Sequence, residues 1–72
     1  MSIFSEKLKE TRKQQKILQK DLASIMNLPL RTYQSYEYGE AEPNLDGLIN
    51  LSKYLNCSTD YLLGLSDDPT RH

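Results

Sequence analysis

The chain has one cysteine, one histidine and three glycines in 72 residues, and these scarcities exclude several classes of function. A lone Cys57 cannot form an internal disulfide, and with His72 as the only histidine no Cys/His spacing offers a metal site. Cys57 falls between two helical segments where a small apolar residue is expected, so it reads as a buried, inert thiol rather than a nucleophile. Asp67-Asp68 is a charge pair on the C-terminal tail, with no acid–base partner and no glycine-rich phosphate loop beside it. No catalytic residue, metal or cofactor is therefore expected, and the chain does not read as an enzyme. No run of about 20 apolar residues is present to span a membrane. Met1–Glu10 lacks the basic stretch and apolar core of a secretory signal, and a thin apolar stripe does not make it a membrane-surface helix. A reducing cytoplasm is the natural compartment for such a chain.

Seventy-two residues allow one domain with a modest core, burying about 60% of the unfolded surface. The net charge of −1 hides a split. Residues 1–36 carry seven bases against three acids, a balance of +4, whereas residues 37–72 carry two bases against seven acids, a balance of −5. Such a dipolar domain can turn a basic face to an anionic partner, although a lysine-rich first helix is also common as a solvated surface.

The pattern is helical throughout, with no strand alternation, repeat or low-complexity segment. Phe4, Leu8 and Thr11 recur at helical period amid charges, giving a first helix over about 4–15 with Ser2 or Ser5 as cap. A second begins near Gln19 and buries Leu22, Ala23 and Met26. Asn27 suits a turn residue of positive φ, and Pro29 suits the first turn of the next helix, which runs to about Tyr38 and stops at Gly39. Asn44 caps a fourth helix over about 45–55, with Leu45, Leu48, Leu51 and Leu55 inward and Ile49 beside them. Ser58 caps a short fifth helix with Tyr61, Leu62 and Leu63 inward, ended by Gly64. The expected fold is all-α: one compact domain over residues 1–65, about five short helices, and a flexible tail at 66–72.

Two short amphipathic helices joined by about three residues must cross steeply, which singles out residues 19–38 as a helix-turn-helix. The second of them has an apolar side, Tyr33 and Tyr36, and an outward side of Leu30, Arg31, Gln34 and Ser35. An outward arginine can reach guanine with two hydrogen bonds and an outward glutamine can reach adenine.

Three runs carry a resemblance: Lys16-Ile-Leu-Gln-Lys-Asp-Leu-Ala23, Met26-Asn-Leu28 and Thr32-Tyr-Gln-Ser-Tyr-Glu-Tyr-Gly39. With Pro43-Asn-Leu45, Leu51–Leu55 and Ser58–Leu63, they resemble the Cro and lambdoid-repressor type of helix-turn-helix, the XRE family, over residues 4–65. The resemblance implies a lambda-repressor-like fold and a small regulator of phage or mobile-element type that binds double-stranded operator DNA through residues 30–38. It implies that Gln19 meets phosphate and braces the recognition helix, with Lys20 beside it on the DNA side. Ala23 would let the two helices approach. Leu30, Arg31 and Ser35 would face bases, with Thr32 and Gln34 next to them and Tyr38 near the backbone. Arg12 and Glu37 would form a partly buried, structural salt bridge. Most members of the family dimerise, which points to Tyr61, Leu63 and Leu65 as a homodimer surface.

Some residues depart from the family pattern. Leu18 stands where a Ser, Thr or Asn cap is usual, Leu30 where a polar residue is usual, and Glu40 and Glu42 where Lys or Arg often grips phosphate. Leu30 can touch thymine methyl groups, which keeps operator DNA as the ligand. The other reading makes Leu18, Ile25 and Leu30, with Glu40 and Glu42 as rim, the docking surface of an antirepressor or modulator. Its partner would be a basic helix-turn-helix repressor protein.

Overall fold

The computed structural model describes residues 2–70; Met1, Arg71 and His72 lie outside the described residues. Among the described residues there are five helices and no strand: α1 (Ile3–Gln14), α2 (Gln19–Ile25), α3 (Leu30–Tyr38), α4 (Leu45–Tyr54) and α5 (Thr59–Leu62). The fold is all-α, as the periodicity predicts, and no helix is long and apolar enough to cross a membrane.

Three helices start on a side-chain cap. Ser2 accepts from Ser5 N at 3.1 Å, Asn44 from Gly47 N at 2.8 Å and Ser58 from Tyr61 N at 3.0 Å. The functional pair lacks this support. Leu18 before α2 and Pro29 before α3 offer no side-chain acceptor, so Pro29 stands one place earlier than its expected position inside the helix.

All five helices end alike. Each is followed by a residue of positive φ, and the amide after that residue reaches back to a carbonyl five positions earlier. The left-handed residues are Lys16, Asn27, Gly39, Asn56 and Gly64. Their closing bonds are Ile17 N to Arg12 O, Leu28 N to Ala23 O, Glu40 N to Ser35 O, Cys57 N to Ser52 O and Leu65 N to Asp60 O. Repetition of one tight reversal keeps every connection short, and the chain fits within 29 × 22 × 21 Å.

α3 packs against α1 and α2, while α5 packs against α1 and α4. The core between them is Leu8, Leu22, Ala23, Tyr33, Leu51, Leu55, Cys57 and Leu62, with Phe4, Ile17, Met26, Tyr36, Leu48 and Tyr61 half-buried around it. The expected inward face of α4 needs correction. Leu45 is 78% exposed and Ile49 is also exposed, while Ser52 is buried and donates to Ile49 O at 2.6 Å. At about 100° per residue, 48, 51, 52 and 55 share a narrow arc from which 49 is turned away. Leu45 is the first residue of the helix, where less of the core reaches it. Leu63 is exposed as well, being the last residue before the Gly64 reversal.

Residues 66–70 fold against the start of α5. Ser58 N donates to Pro69 O at 2.9 Å, and Asp68 N and Thr70 N donate to Ser66 Oγ and Asp68 Oδ1 at 3.1 and 3.0 Å. The rest of the expected tail, Arg71 and His72, lies outside the described residues.

Candidate nucleic-acid interface

α2 and α3 are joined by Met26–Pro29, four residues whose course is set by Asn27 at φ 58°. Ala23 is buried where the two helices meet, and its carbonyl accepts from Leu28 N at 2.9 Å to close the turn. The small side chain at 23 is what lets α3 lie close to α2.

α3 divides into two faces. Tyr33 and Glu37, four apart, are buried, and Tyr36 is half-buried against the core with its ring edge-on to Tyr33 at 6.4 Å. Arg31 and Tyr38 lie diametrically opposite this side and are exposed. Ser35 lies on the same outward side, half-exposed, Gln34 and Thr32 lie half-exposed on the shoulders, and Leu30 is exposed at the N-terminal end. The Ser35 hydroxyl donates to Thr32 O at 2.6 Å, so its oxygen can still accept. An open depression beside Leu30 is lined by Lys20, Ala23, Ser24, Asn27, Leu28 and Pro29, so Lys20 and Leu30 share one surface.

The inward face is held by one carboxylate with four donors. Glu37 Oε2 accepts from Arg12 Nε at 2.6 Å and from the Tyr33 hydroxyl, and Glu37 Oε1 accepts from Arg12 NH2 at 3.2 Å and Gln19 Nε2 at 3.0 Å. Arg12 and Glu37, paired in the sequence reading, therefore meet with two hydrogen bonds, and both are buried. Arg12 NH1 also donates to Ile17 O at 2.8 Å, tying in the connection before α2. Burial by itself would raise the Glu37 carboxyl, but hydrogen bonds from Arg12, Tyr33 and Gln19 hold it below the ordinary carboxylate range. The same contact with Glu37 raises Arg12, and burial followed by the Glu37 hydrogen bond raises the Tyr33 phenol.

Gln19 braces α3 from the start of α2. Gln19 is engaged within the protein, donating to Glu37 and accepting from Gln34 Nε2 at 3.1 Å. Gln34 keeps its carbonyl oxygen and one N–H. The i,i+4 spacing of Tyr33 and Glu37 is a signal for their contact, but the Gln19–Gln34 link spans 15 residues and depends on how the helices cross.

The residues of the expected protein-docking surface are all exposed. Leu18 and Ile25 are 57% and 53% exposed on a shared edge of α2. Lys20, whose surface Leu30 shares, lies about 140–160° around the helix axis from both. Glu40 and Glu42 are exposed, and Glu42 borders a small hollow formed by Phe4, Pro43, Leu48 and Leu63. The expected dimer surface is altered. Leu63 and Leu65 are exposed, but Tyr61 is half-buried against the core with Lys7 Nζ 4.7 Å from its ring centroid. Among the described residues no group of three or more His, Cys, Asp or Glu side chains could hold a metal ion.

A buried, cross-braced helix pair with a short glycine-free turn and one outward polar face defines the class: a helix-turn-helix protein. Residues 8–62 match the helix-turn-helix family, and the chain belongs to it, in its XRE-type branch. It is 44% identical over 61 residues to the HTH-type transcriptional regulator YqaE of Bacillus subtilis, covering 85% of this chain and 53% of the relative. Identity to the HTH-type transcriptional regulator ImmR of the same organism is 39% over 61 residues, 85% of this chain and 48% of ImmR. Repressor protein C2 of Salmonella phage P22 is 38% identical over 61 residues, 85% of this chain and 28% of C2. The chain thus spans about half the length, or less, of these three relatives.

Proposed function

We propose that the chain is a transcriptional regulator of phage or mobile-element type that binds double-stranded operator DNA with the outward face of α3 in the major groove. The observation that carries this reading is the position of Arg31 and Tyr38, fully outward on a helix whose opposite face is fastened to α1 and α2. Leu30, Arg31, Gln34 and Ser35 face bases, with Thr32 beside them, while Lys20, Tyr38 and the one N–H that Gln19 has left lie toward phosphate. The names of the relatives, a phage repressor among them, support the same reading. A homodimer through Leu63 and Leu65, with Tyr61 beneath them, would set two recognition helices roughly 34 Å apart on a palindrome.

The test is selection of duplexes from a randomised pool at low salt. The expected result is enrichment of a palindromic site that Arg31→Ala binds about 1–3 kcal/mol more weakly, with relaxed choice at one base pair. With few cations on the face, the salt slope should be about −3 to −5 per dimer. No enrichment at low salt would overturn the proposal.

A second reading rests on the exposed Leu18 and Ile25: a modulator that docks on a basic helix-turn-helix repressor. Glu40→Lys with Glu42→Lys separates the two. The double reversal should strengthen binding to the selected duplex if DNA is the ligand, and abolish capture of the repressor if a protein is.

A further inference from the structure

Resting on the DNA reading above, we infer that Lys16, in the connection between α1 and α2, grips a backbone phosphate, and that the chain keeps a strained residue there to present the charge. All five helices end on the same reversal, and four of them place Asn or Gly at its left-handed position. Those residues enter positive φ readily, whereas a lysine does not. Lys16 nevertheless sits at φ 59° and is held there. Its own N–H donates to Lys13 O at 3.0 Å. The next residue is clamped at both ends, with Ile17 N donating to Arg12 O at 3.2 Å and Ile17 O accepting from the Arg12 guanidinium at 2.8 Å.

The side chain does nothing within the protein to offset that strain. It is exposed, and among the described residues its ammonium has no hydrogen bond or ion pair. Glycine would take the same backbone freely, so the lysine is there for what its ammonium meets outside the protein. Three N–H donors, a full charge and no acceptor suit a phosphate oxygen and express no preference among bases. The placement agrees. Lys16 precedes Gln19 by three residues, about 11 Å of chain at most, and the Gln19 amide touches Gln34 on the shoulder of α3. Phosphates border a major groove about 12 Å wide, so a helix seated in the groove brings this connection to one of its walls.

The experiment uses the full chain, its Lys16→Gln, Lys16→Gly, Lys16→Arg and Lys53→Gln variants, the duplex enriched by the wild-type chain, and an unrelated duplex. Lys53, exposed in the last turn of α4, controls for net charge. Lys16→Gln and Lys16→Gly should each weaken both duplexes by the same factor. Each should also make the slope of log affinity against log salt shallower by about 0.9 for every chain bound. Lys16→Arg and Lys53→Gln should keep the wild-type slope. Lys16→Gly should nevertheless melt at a higher temperature than the wild type, which separates a lost phosphate contact from lost folding. If Lys16→Gln keeps the wild-type affinity and slope, or Lys53→Gln flattens the slope as much, the phosphate contact is overturned while DNA binding stands. If Lys16→Gly melts no higher than the wild type, the claim that strain is kept for the charge is overturned. If the wild-type chain enriches no duplex, the DNA reading falls and the inference falls with it.

Discussion

Removing Arg12 should be among the most damaging single changes in the chain, and its pH dependence should identify the cause. Arg12→Ala deletes two of the four donors to Glu37 and the donor to Ile17 O, and Glu37 is only 1% exposed. A buried carboxylate stripped of its cation costs about 3–5 kcal/mol. A domain of this length holds about 4–11 kcal/mol in total, so the loss runs from about a quarter of the stability to all of it. Urea unfolding followed by far-ultraviolet circular dichroism at pH 7 measures it. Arg12→Lys, which keeps the charge but not the planar fork, should fall between the variant and the wild type. In the wild type the folded Glu37 lies below its unfolded value of about 4.3, so its contribution is present above that pH and is lost as the pH falls through the folded value. Without Arg12 the burial of Glu37 dominates and the folded value rises above the unfolded one. The variant should then regain stability relative to wild type as the pH drops from 7 toward about 4.5. Loss of less than 1 kcal/mol at pH 7, or parallel pH profiles, would refute this account of the ion pair.

Three further substitutions test the scaffold. Lys16 holds φ 59° at the end of α1, a conformation costing an L-residue about 1–2 kcal/mol, so Lys16→Gly should raise the melting temperature by several degrees. Thr11 Oγ1 is buried and makes no hydrogen bond, so Thr11→Val should gain about 1 kcal/mol in urea unfolding; a loss would mean that the hydroxyl has a partner. Gly64 combines φ 78° with direct contact on Ile3, where a Cβ would overlap the Ile3 Cγ2 methyl. Gly64→Ala should therefore lower stability by about 1–3 kcal/mol, and Ile3→Ala in the same background should recover part of it in thermal melts.

The parts of the fold that were legible in the sequence are those set by local chemistry. Asn44 and Ser58 cap their helices and Asn27, Gly39 and Gly64 reverse the chain, because a side-chain acceptor or tolerance of positive φ acts within a few residues. Lys16 and Asn56 make the same reversal, and nothing at Lys16 signals it, since tertiary packing forces that conformation on a residue with no preference for it. The leucines of α4 mislead for another reason. Leu45 has the right spacing for the core, but it opens the helix, and spacing alone does not say which turns a neighbouring element covers. The outward face of α3 could be read from its period. The engagement of Gln19 by Glu37 could not, because it turns on the angle at which two helices cross.

The exposure of Leu30 follows from the same packing. α3 has nine residues and no side-chain cap, too few to persist by helix propensity alone, so it exists because its inner arc is buried. Tyr33, Tyr36 and Glu37 already fill that arc, and the Glu37 carboxylate has its four donors there. Leu30, the first residue of α3, is left 41% exposed at the helix end. Its neighbours then weigh on what its ligand is. An apolar protein partner would need a continuous greasy surface, yet Leu18 and Ile25 lie on another side of α2. Beside Leu30 instead are Lys20, Ser24 and Asn27 in the adjoining depression, and Arg31 next in sequence. One apolar side chain among cations and small polar groups suits a thymine methyl bordered by phosphates and base edges, which is how the proposed DNA reading accounts for the departure at Leu30.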